Sequence, residues 1–427
     1  MKCIPMKYLW LVSCVLALCS CKRDMFDADA YKTILTESFP VDNIDPNHTW
    51  NLTKTYSIVV TANVDTQQEP TCVRILNGNH YTPEITEILA EASVERNQTV
   101  ELFFSAPLYQ QHFYAAVVTA DGQHVLKAFT PGQQSVSFDS GTITDTDQLN
   151  TLIYQTYTYC YEADYPQPGD WDFNDLVLRI QKLPVQNGNE LRLRVTLAAV
   201  GCEKQVAAAI RLLDYNYDDV EWVAIEEGGT FDNGLNVKRT LIMKADLLLQ
   251  GLHGEAVLNL FEDAHYALSP RLSSPDTGSM PIHAYYNTSH TPDDNTHIQL
   301  EPKTLTYVVK LKNPRLINSF TLENIDPFVV EDFNSGKWEI HTFSHKSDQI
   351  LHNLGLNETA TSNNMTWALK IPSPTFRYPI EGQSVGTFKN GKLRGAYMAK
   401  DHSYGQWVTN HDSSIDWFFY PTAGLIF

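Results

Sequence analysis

The sequence predicts an all-β protein in which a small N-terminal β-sandwich precedes a larger β-rich, sandwich-like domain. Three observations support this. Runs rich in Val, Ile, Thr and aromatic residues recur along the chain. Several of them alternate apolar and polar residues with a period of two, which turns one face to a core and the other to solvent. No heptad array, no regular repeat of 20–50 residues, no GxGxxG and no P-loop interrupts them. A length of 427 residues allows two or three domains at roughly 100–200 residues each. A composition that is 43% hydrophobic and 11% aromatic is that of a folded chain.

Taken in order, Tyr56–Val64 reads as a strand by its β-branched content and Glu84–Ala92 as a short helix. Thr99–Phe104 and Phe113–Thr119 follow as strands, the second running into an Asp121-Gly122 hairpin turn. Residues 48–138 are therefore expected to form the first sandwich. Past the Thr/Asp-rich stretch Ser140–Asp147, residues 139–427 are expected to form the larger domain. There Leu191, Leu193, Val195 and Leu197 share one face of a strand and Arg192, Arg194 and Thr196 the other. Leu305–Leu311 and Lys337–Phe343 read similarly. The Ala-rich run Ala198–Leu213 suits either a helix or, with Gly201 in it, two strands.

The N-terminus reads as an address. Lys2 and Lys7 precede an apolar run of about eleven residues, Tyr8–Leu18, too short for the ~20 a membrane-spanning helix needs. The run ends in Leu18-Cys19-Ser20-Cys21, which is similar to the lipobox of bacterial lipoproteins. That resemblance implies a signal peptide over residues 1–20, cleavage after Ser20 and acylation of Cys21, the lipid being the membrane attachment. An ordinary secretory signal is the alternative, but the abrupt polarity of Lys22-Arg23-Asp24 favours a tether, assigned to residues 21–47. Lys22 after the acylated cysteine, with no Asp there, points to the outer membrane or cell surface. Losing residues 1–20 removes Lys2 and Lys7 and no acid, so the formal charge of −19 becomes more negative still. Such a balance argues against nucleic acid as a partner. Cys72, Cys160 and Cys202 remain after processing; a Cys160–Cys202 disulfide suits an exported protein, and free buried cysteines are the other reading.

The stretch with most chemistry in it is Tyr161-Glu162-Ala163-Asp164-Tyr165-Pro166-Gln167-Pro168-Gly169-Asp170-Trp171-Asp172-Phe173-Asn174-Asp175-Leu176-Val177. Within six residues Asp170, Asp172, Asn174 and Asp175 offer oxygen donors, with Glu162 and Asp164 just upstream. Carboxylates this close repel unless a cation or strong hydrogen bonds offset them, and hard oxygen donors select Ca²⁺. The spacing is not that of an EF-hand. The competing reading is an acidic turn whose side chains cap backbone amides.

Gly169 to Val177 resembles the core motif of the LruC-domain family of exported bacterial lipoproteins, with Glu162-Ala163 departing from its Glu-Asp pair and Asp164 as a substitute. Ala199-Val200-Gly201, Asp326-Pro327-Phe328 with Glu339-Ile340-His341, and Trp367–Pro372 with Tyr378-Pro379 resemble later family segments. Lys346-Ser347-Asp348 stands where the family has Lys-Pro-Thr. The resemblance spans roughly residues 50–427. It implies an all-β exported protein, possible calcium binding and no known reaction.

Catalytic constellations are weak. Gly382-Gln383-Ser384-Val385-Gly386 matches a nucleophile elbow with Asp401, His402 and His411 downstream, but Thr387–Gly395 lacks the pattern of the helix that must follow. His341 and His345 have the spacing of zinc ligands on a helix but sit at a strand end, with no HExxH glutamate. Trp407 and Trp417-Phe418-Phe419-Tyr420 suit a sugar-stacking surface less well than a core. Three readings follow: a non-enzymatic structural or binding lipoprotein stabilised by calcium, with a protein or glycan ligand; a glycan-binding or carbohydrate-active subunit; and an architectural subunit of a surface polymer, which would need an exposed edge strand.

Overall fold

The structure, a computed structural model, describes residues 28–78, 81, 84–145, 149–164, 167–184, 188–226, 229–231, 248–252, 254–269, 284–293, 296–333, 336–342 and 364–427. It is all-β, as expected, with few and short helices. The chain enters through α1 (Ala28–Ser38). The first module is then built from β1 (Thr53–Thr61), β2 (Pro70–Asn77), β3 (Ile85–Ser93), β4 (Thr99–Pro107), β5 (Phe113–Thr119), β6 (Gln123–Phe129), β7 (Ser135–Ser137), β8 (Thr142–Asp145) and β9 (Thr151–Tyr154). Its two sheets run in the orders β4-β1-β7 and β8-β6-β5-β2-β3-β9. Ile58, Val60, Val73, Ile75, Leu102, Phe104, Phe113 and Val117 fill the space between them.

The larger module starts with β10 (Thr156–Tyr161), β11 (Leu176–Lys182), β12 (Glu190–Ala199), β13 (Val206–Asn216), β14 (Val220–Ile225), β15 (Leu249–Leu252) and β16 (Glu255–Phe261). After α2 (Ala264–Leu268) come β17 (Tyr285–Tyr286), β18 (His297–Ile298), β19 (Lys303–Leu311), β20 (Ile325–Phe333), β21 (Gly336–Ile340) and β22 (Ala368–Ile371). A six-stranded sheet, β14-β19-β12-β11-β10-β22, accompanies a five-stranded one, β15-β16-β13-β20-β21. The alternation in β12 is realised: Leu191, Leu193, Val195 and Leu197 are buried and Arg194 is exposed. Each such side chain contributes roughly 1.5–3 kcal/mol by leaving water. The last stretch, β23 (Thr387–Lys389), β24 (Lys392–Arg394), β25 (Met398–Ala399), β26 (His402–Ser403) and α3 (Tyr404–Thr409), folds back onto this body.

Several expectations are corrected. Glu84–Ala92 is not a helix; nearly all of it is β3, because β9 offers backbone pairing to Ile85–Ile88 and β2 to Ile88–Ser93, and that outweighs a helix preference of less than ~1 kcal/mol per residue. Ala198–Leu213 resolves into the end of β12 and most of β13, whose Ala207, Ala208 and Ala209 are fully buried. The first module does not stop at residue 138, since β8 pairs with β6 and β9 with β3.

The tether is ordered from Ala28 onward. Leu35, Phe39 and Val41 join the main core, Val41 bridges to Phe388, and Asp45 N donates to Val408 O at 2.9 Å. Cys21 and the expected signal segment lie outside the described residues. Cys160 and Cys202 are buried and free, so no disulfide joins them. Trp407, Trp417 and Phe418 are core residues, with Trp407 and Trp417 stacked at 5.8 Å.

Candidate metal centre

Glu162 follows β10, with its N–H donating to Trp367 O at 2.9 Å. The chain then turns and returns through Asp170–Asp175 into β11. In that return aromatic and acidic residues alternate, and the two kinds point different ways. Trp171 packs on Phe39 at 4.9 Å and on Trp367 at 4.8 Å, and Phe173 is buried in the same core. Both hold a left-handed backbone, φ 62° for Trp171 and 55° for Phe173. Such a conformation costs a bulky residue about 1–3 kcal/mol and persists only where packing dictates it. The consequence is that the N–H groups of Trp171 and Phe173 both donate to the Glu162 carboxylate at 3.2 Å, and Asp170 and Asp172 come round beside it.

Glu162, Asp170 and Asp172 each present a carboxylate oxygen, and these lie within 4.8 Å of one another. Glu162, Asp164 and Asp175 form a second such group. Oxygens this close can share one ion, and an all-oxygen donor set is that of a hard cation such as Ca²⁺. Glu162 and Asp172 are only 1% exposed. Burial first, and then mutual repulsion, pushes the pKa values of Glu162, Asp172 and Asp175 well above the usual carboxylate range and raises that of Asp170. Among the described residues no Lys, Arg or His forms an ion pair with Glu162, Asp170 or Asp172.

Hydrogen bonds meet part of the demand. Asp172 accepts from Asn174 N at 2.9 Å, Asn174 Nδ2 at 2.6 Å and Gly382 N at 3.0 Å. Asp175 accepts from Ala163 N at 2.5 Å. Asn174, expected among the ligands, therefore turns its donor to the cluster, and its Oδ1 is buried against Gly201 without a hydrogen bond. Asp164 pairs with Lys204, Nζ to Oδ1 2.9 Å. Two glycines permit this closeness: a Cβ on Gly169 would stand 1.7 Å from Glu162 Oε1, and one on Gly201 1.8 Å from Asn174 Oδ1.

Sequence reasoning missed Glu381. It neighbours Gly382, and its pKa is pushed up to about 8 by burial and then by Asp170; its Oε2 is buried without a hydrogen bond. It lies just before the Gly382–Gly386 stretch read as a nucleophile elbow, and the Tyr378-Pro379 resemblance was the nearest signal. Lys204 and Glu331 were also missed, having no local motif.

The other candidate centres separate. Ser384 Oγ is buried without a hydrogen bond, and no strand enters or helix leaves its turn. His402 pairs with Asp416 at 2.9 Å and His411 with Asp45 at 2.6 Å. His341 Nδ1 lies 2.7 Å from Asp326 and Nε2 3.1 Å from Glu339, so both ring nitrogens face carboxylates. His345 lies outside the described residues.

The fold is similar to the crystal structure of a candidate lipoprotein from Bacteroides ovatus, with a TM-score of 0.48 and 14% identity over 84% of this chain and 99% of that one. No curated protein matches the chain. Residues 189–418, running from the β12 end of the body through the Glu381 segment and α3, match the family described as a domain of unknown function, DUF4842, and with more than half of its length in that match the chain belongs to the DUF4842 family.

Proposed function

We propose that the protein is an exported lipoprotein, acylated at Cys21 and held at the outer membrane or cell surface, whose LruC-type body is braced by Ca²⁺ and serves a binding or structural role without a reaction of its own. The observation that carries the calcium reading is the Glu162–Asp170–Asp172 group, mostly buried, without an ion pair among the described residues and with its carboxylate oxygens close enough to share one ion. A cation there would offset the carboxylate repulsion and add to the hydrogen bonds that already join the end of β10, the Asp170–Asp172 turn and the segment that supplies Glu381 and Gly382. Isothermal titration of the purified protein with CaCl₂ tests this, and absence of binding at millimolar calcium refutes it.

The anchor rests on Leu18-Cys19-Ser20-Cys21. Labelled fatty acid should enter the wild type and not Cys21→Ser, and a wild type found wholly soluble in the periplasm refutes the anchor. Ser384 is assigned no catalytic role; labelling by a fluorophosphonate probe that Ser384→Ala abolishes would overturn that.

One observation favours the architectural reading as an alternative. β9 leaves β3 after Tyr154, so Leu89–Ser93 has no strand beside it on that side among the described residues. Across a groove of about 470 Å³ it faces Val100–Phe103 of edge strand β4. An incoming strand would find unpaired backbone there. The glycan reading loses Trp407, Trp417 and Phe418 to the core, and among the described residues Tyr114, Tyr217 and Trp222 are exposed aromatics.

A further inference from the structure

We propose that the acidic cluster has two cation positions and that the protein fills the second itself, with the ammonium of Lys204. This rests on the metal reading of the Glu162–Asp170–Asp172 group.

The two carboxylate groups share Glu162, and in each the oxygens lie within 4.8 Å of one another, so by donor chemistry alone each suits a cation. What distinguishes them is Lys204. Its Nζ lies 2.9 Å from Asp164 Oδ1, 3.0 Å from Ala163 O and 3.3 Å from Glu331 Oε2. An ammonium has three donors, and these three acceptors use them all. Ala163 and Asp164 belong to the same turn as Glu162, so the Nζ sits at the Asp164–Asp175 end of the cluster. The Asp170–Asp172 end has no such partner among the described residues.

Glu331 supplies an independent observation. It projects from β20, is fully buried, and its Oε1 has no hydrogen-bond partner. A carboxylate with one oxygen on Lys204 and the other bare is a half-used ligand facing this end of the cluster.

A single tethered charge also suits a position beside a divalent ion, because two divalent ions bridged by one Glu162 would repel each other far more strongly than one ion and an ammonium. Lys204 thus sets the capacity of the cluster at one metal ion per chain. Arginine would preserve that capacity, and an uncharged side chain of similar length would release the second position.

Equilibrium dialysis of the purified protein with radiocalcium, read as ions bound per chain, tests this on wild type, Lys204→Arg and Lys204→Met. The expected capacities are one, one and two. A capacity of one for Lys204→Met, or of two for the wild type, overturns the proposal. A wild type that binds none while Lys204→Met binds one would overturn the metal reading of the first position and leave Lys204 as the resident cation of the second; none in either overturns both. Should Lys204→Met fail to fold, Lys204→Met combined with Glu331→Gln removes the buried charge with its partner. It keeps Glu162, Asp164 and Asp175, so two ions are again expected and one refutes.

Discussion

Replacing Asp170 by asparagine should uncouple thermal stability from calcium while leaving the calcium-free protein intact. Asp170 is the suitable position because it is the exposed member of its group, whereas Asp172 also accepts three hydrogen bonds. At the 4.8 Å limit of the cluster, two ionised carboxylates repel by about 3.5 kcal/mol at an effective dielectric of 20 and about 0.9 kcal/mol in water. Pairs involving the solvated Asp170 lie toward the lower figure, so losing its charge should raise calcium-free stability by about 1 kcal/mol or less. In the wild type, calcium at about a hundredfold above its dissociation constant adds about 2.7 kcal/mol. With an unfolding entropy of about 2.1 cal/mol/K per residue, a chain of 427 residues gains about 3 °C. If the substitution weakens binding a hundredfold, the same calcium adds about 0.4 kcal/mol, under 1 °C. Differential scanning calorimetry of both proteins, in calcium and in chelator, reads all four melts. Equal wild-type melts in the two conditions, or an Asp170→Asn melt that falls equally in both, would refute the reasoning and leave a capped acidic turn.

The remaining predictions concern pH and packing. Carboxylates whose folded pKa is raised stabilise the fold fully below their unfolded value near 4.3 and lose that contribution as pH rises through the folded one, about 8 for Glu381. In chelator the melting temperature should therefore drop between pH 5 and about 8, and calcium should flatten the drop by replacing protons; parallel slopes with and without calcium would count against the site. Gly201→Ala should cost about 1–3 kcal/mol in urea unfolding and blunt the calcium response, because its Cβ would meet Asn174 at 1.8 Å and 2.8 Å; an unchanged midpoint would show that the turn can move aside. His341→Ala should cost about 1–3 kcal/mol by removing the imidazolium between buried Asp326, which keeps Arg211 at 3.3 Å, and Glu339. The His341 pKa is raised to about 9 by Asp326 and then Glu339, against the opposing effect of burial, so its contribution is complete below about pH 6.5 and lost as pH rises through 9. A cost below about 1 kcal/mol at pH 7 would show the pair to be incidental.

How much was legible depended on the range of the interaction. The period-two pattern of β12 was readable because a strand's two faces are decided within the strand, and Leu191 and Arg192 announce them without reference to anything distant. β3 was misread because its Leu, Ala and Glu favour a helix locally, while the deciding pairs, Ile75 with Ala90 and Ile88 with Tyr154, are made with other strands. The acid loop was readable for the same reason as β12: Asp170, Asp172 and Asp175 crowd one another by covalent adjacency. Its partners were not, because Lys204, Glu331 and Glu381 arrive from three separate segments.

The sequence by itself determined an all-β chain and one short stretch dense in carboxylates, and it raised the expectation of a signal segment ending at a lipobox-like Cys21. Those are properties of composition and of spacings under about twenty residues. Only the tertiary structure decided that the supposed tether packs into the core through Leu35, Phe39 and Val41, and that alternate aromatics turn Asp170 and Asp172 toward Glu162. It alone showed that Lys204 neutralises one end of the cluster while Glu381 is brought to the other. The physical reason is that carboxylate repulsion, ion pairing and close approach at Gly169 and Gly201 act through space at about 2–5 Å, a scale on which residues two hundred positions apart in the chain are neighbours.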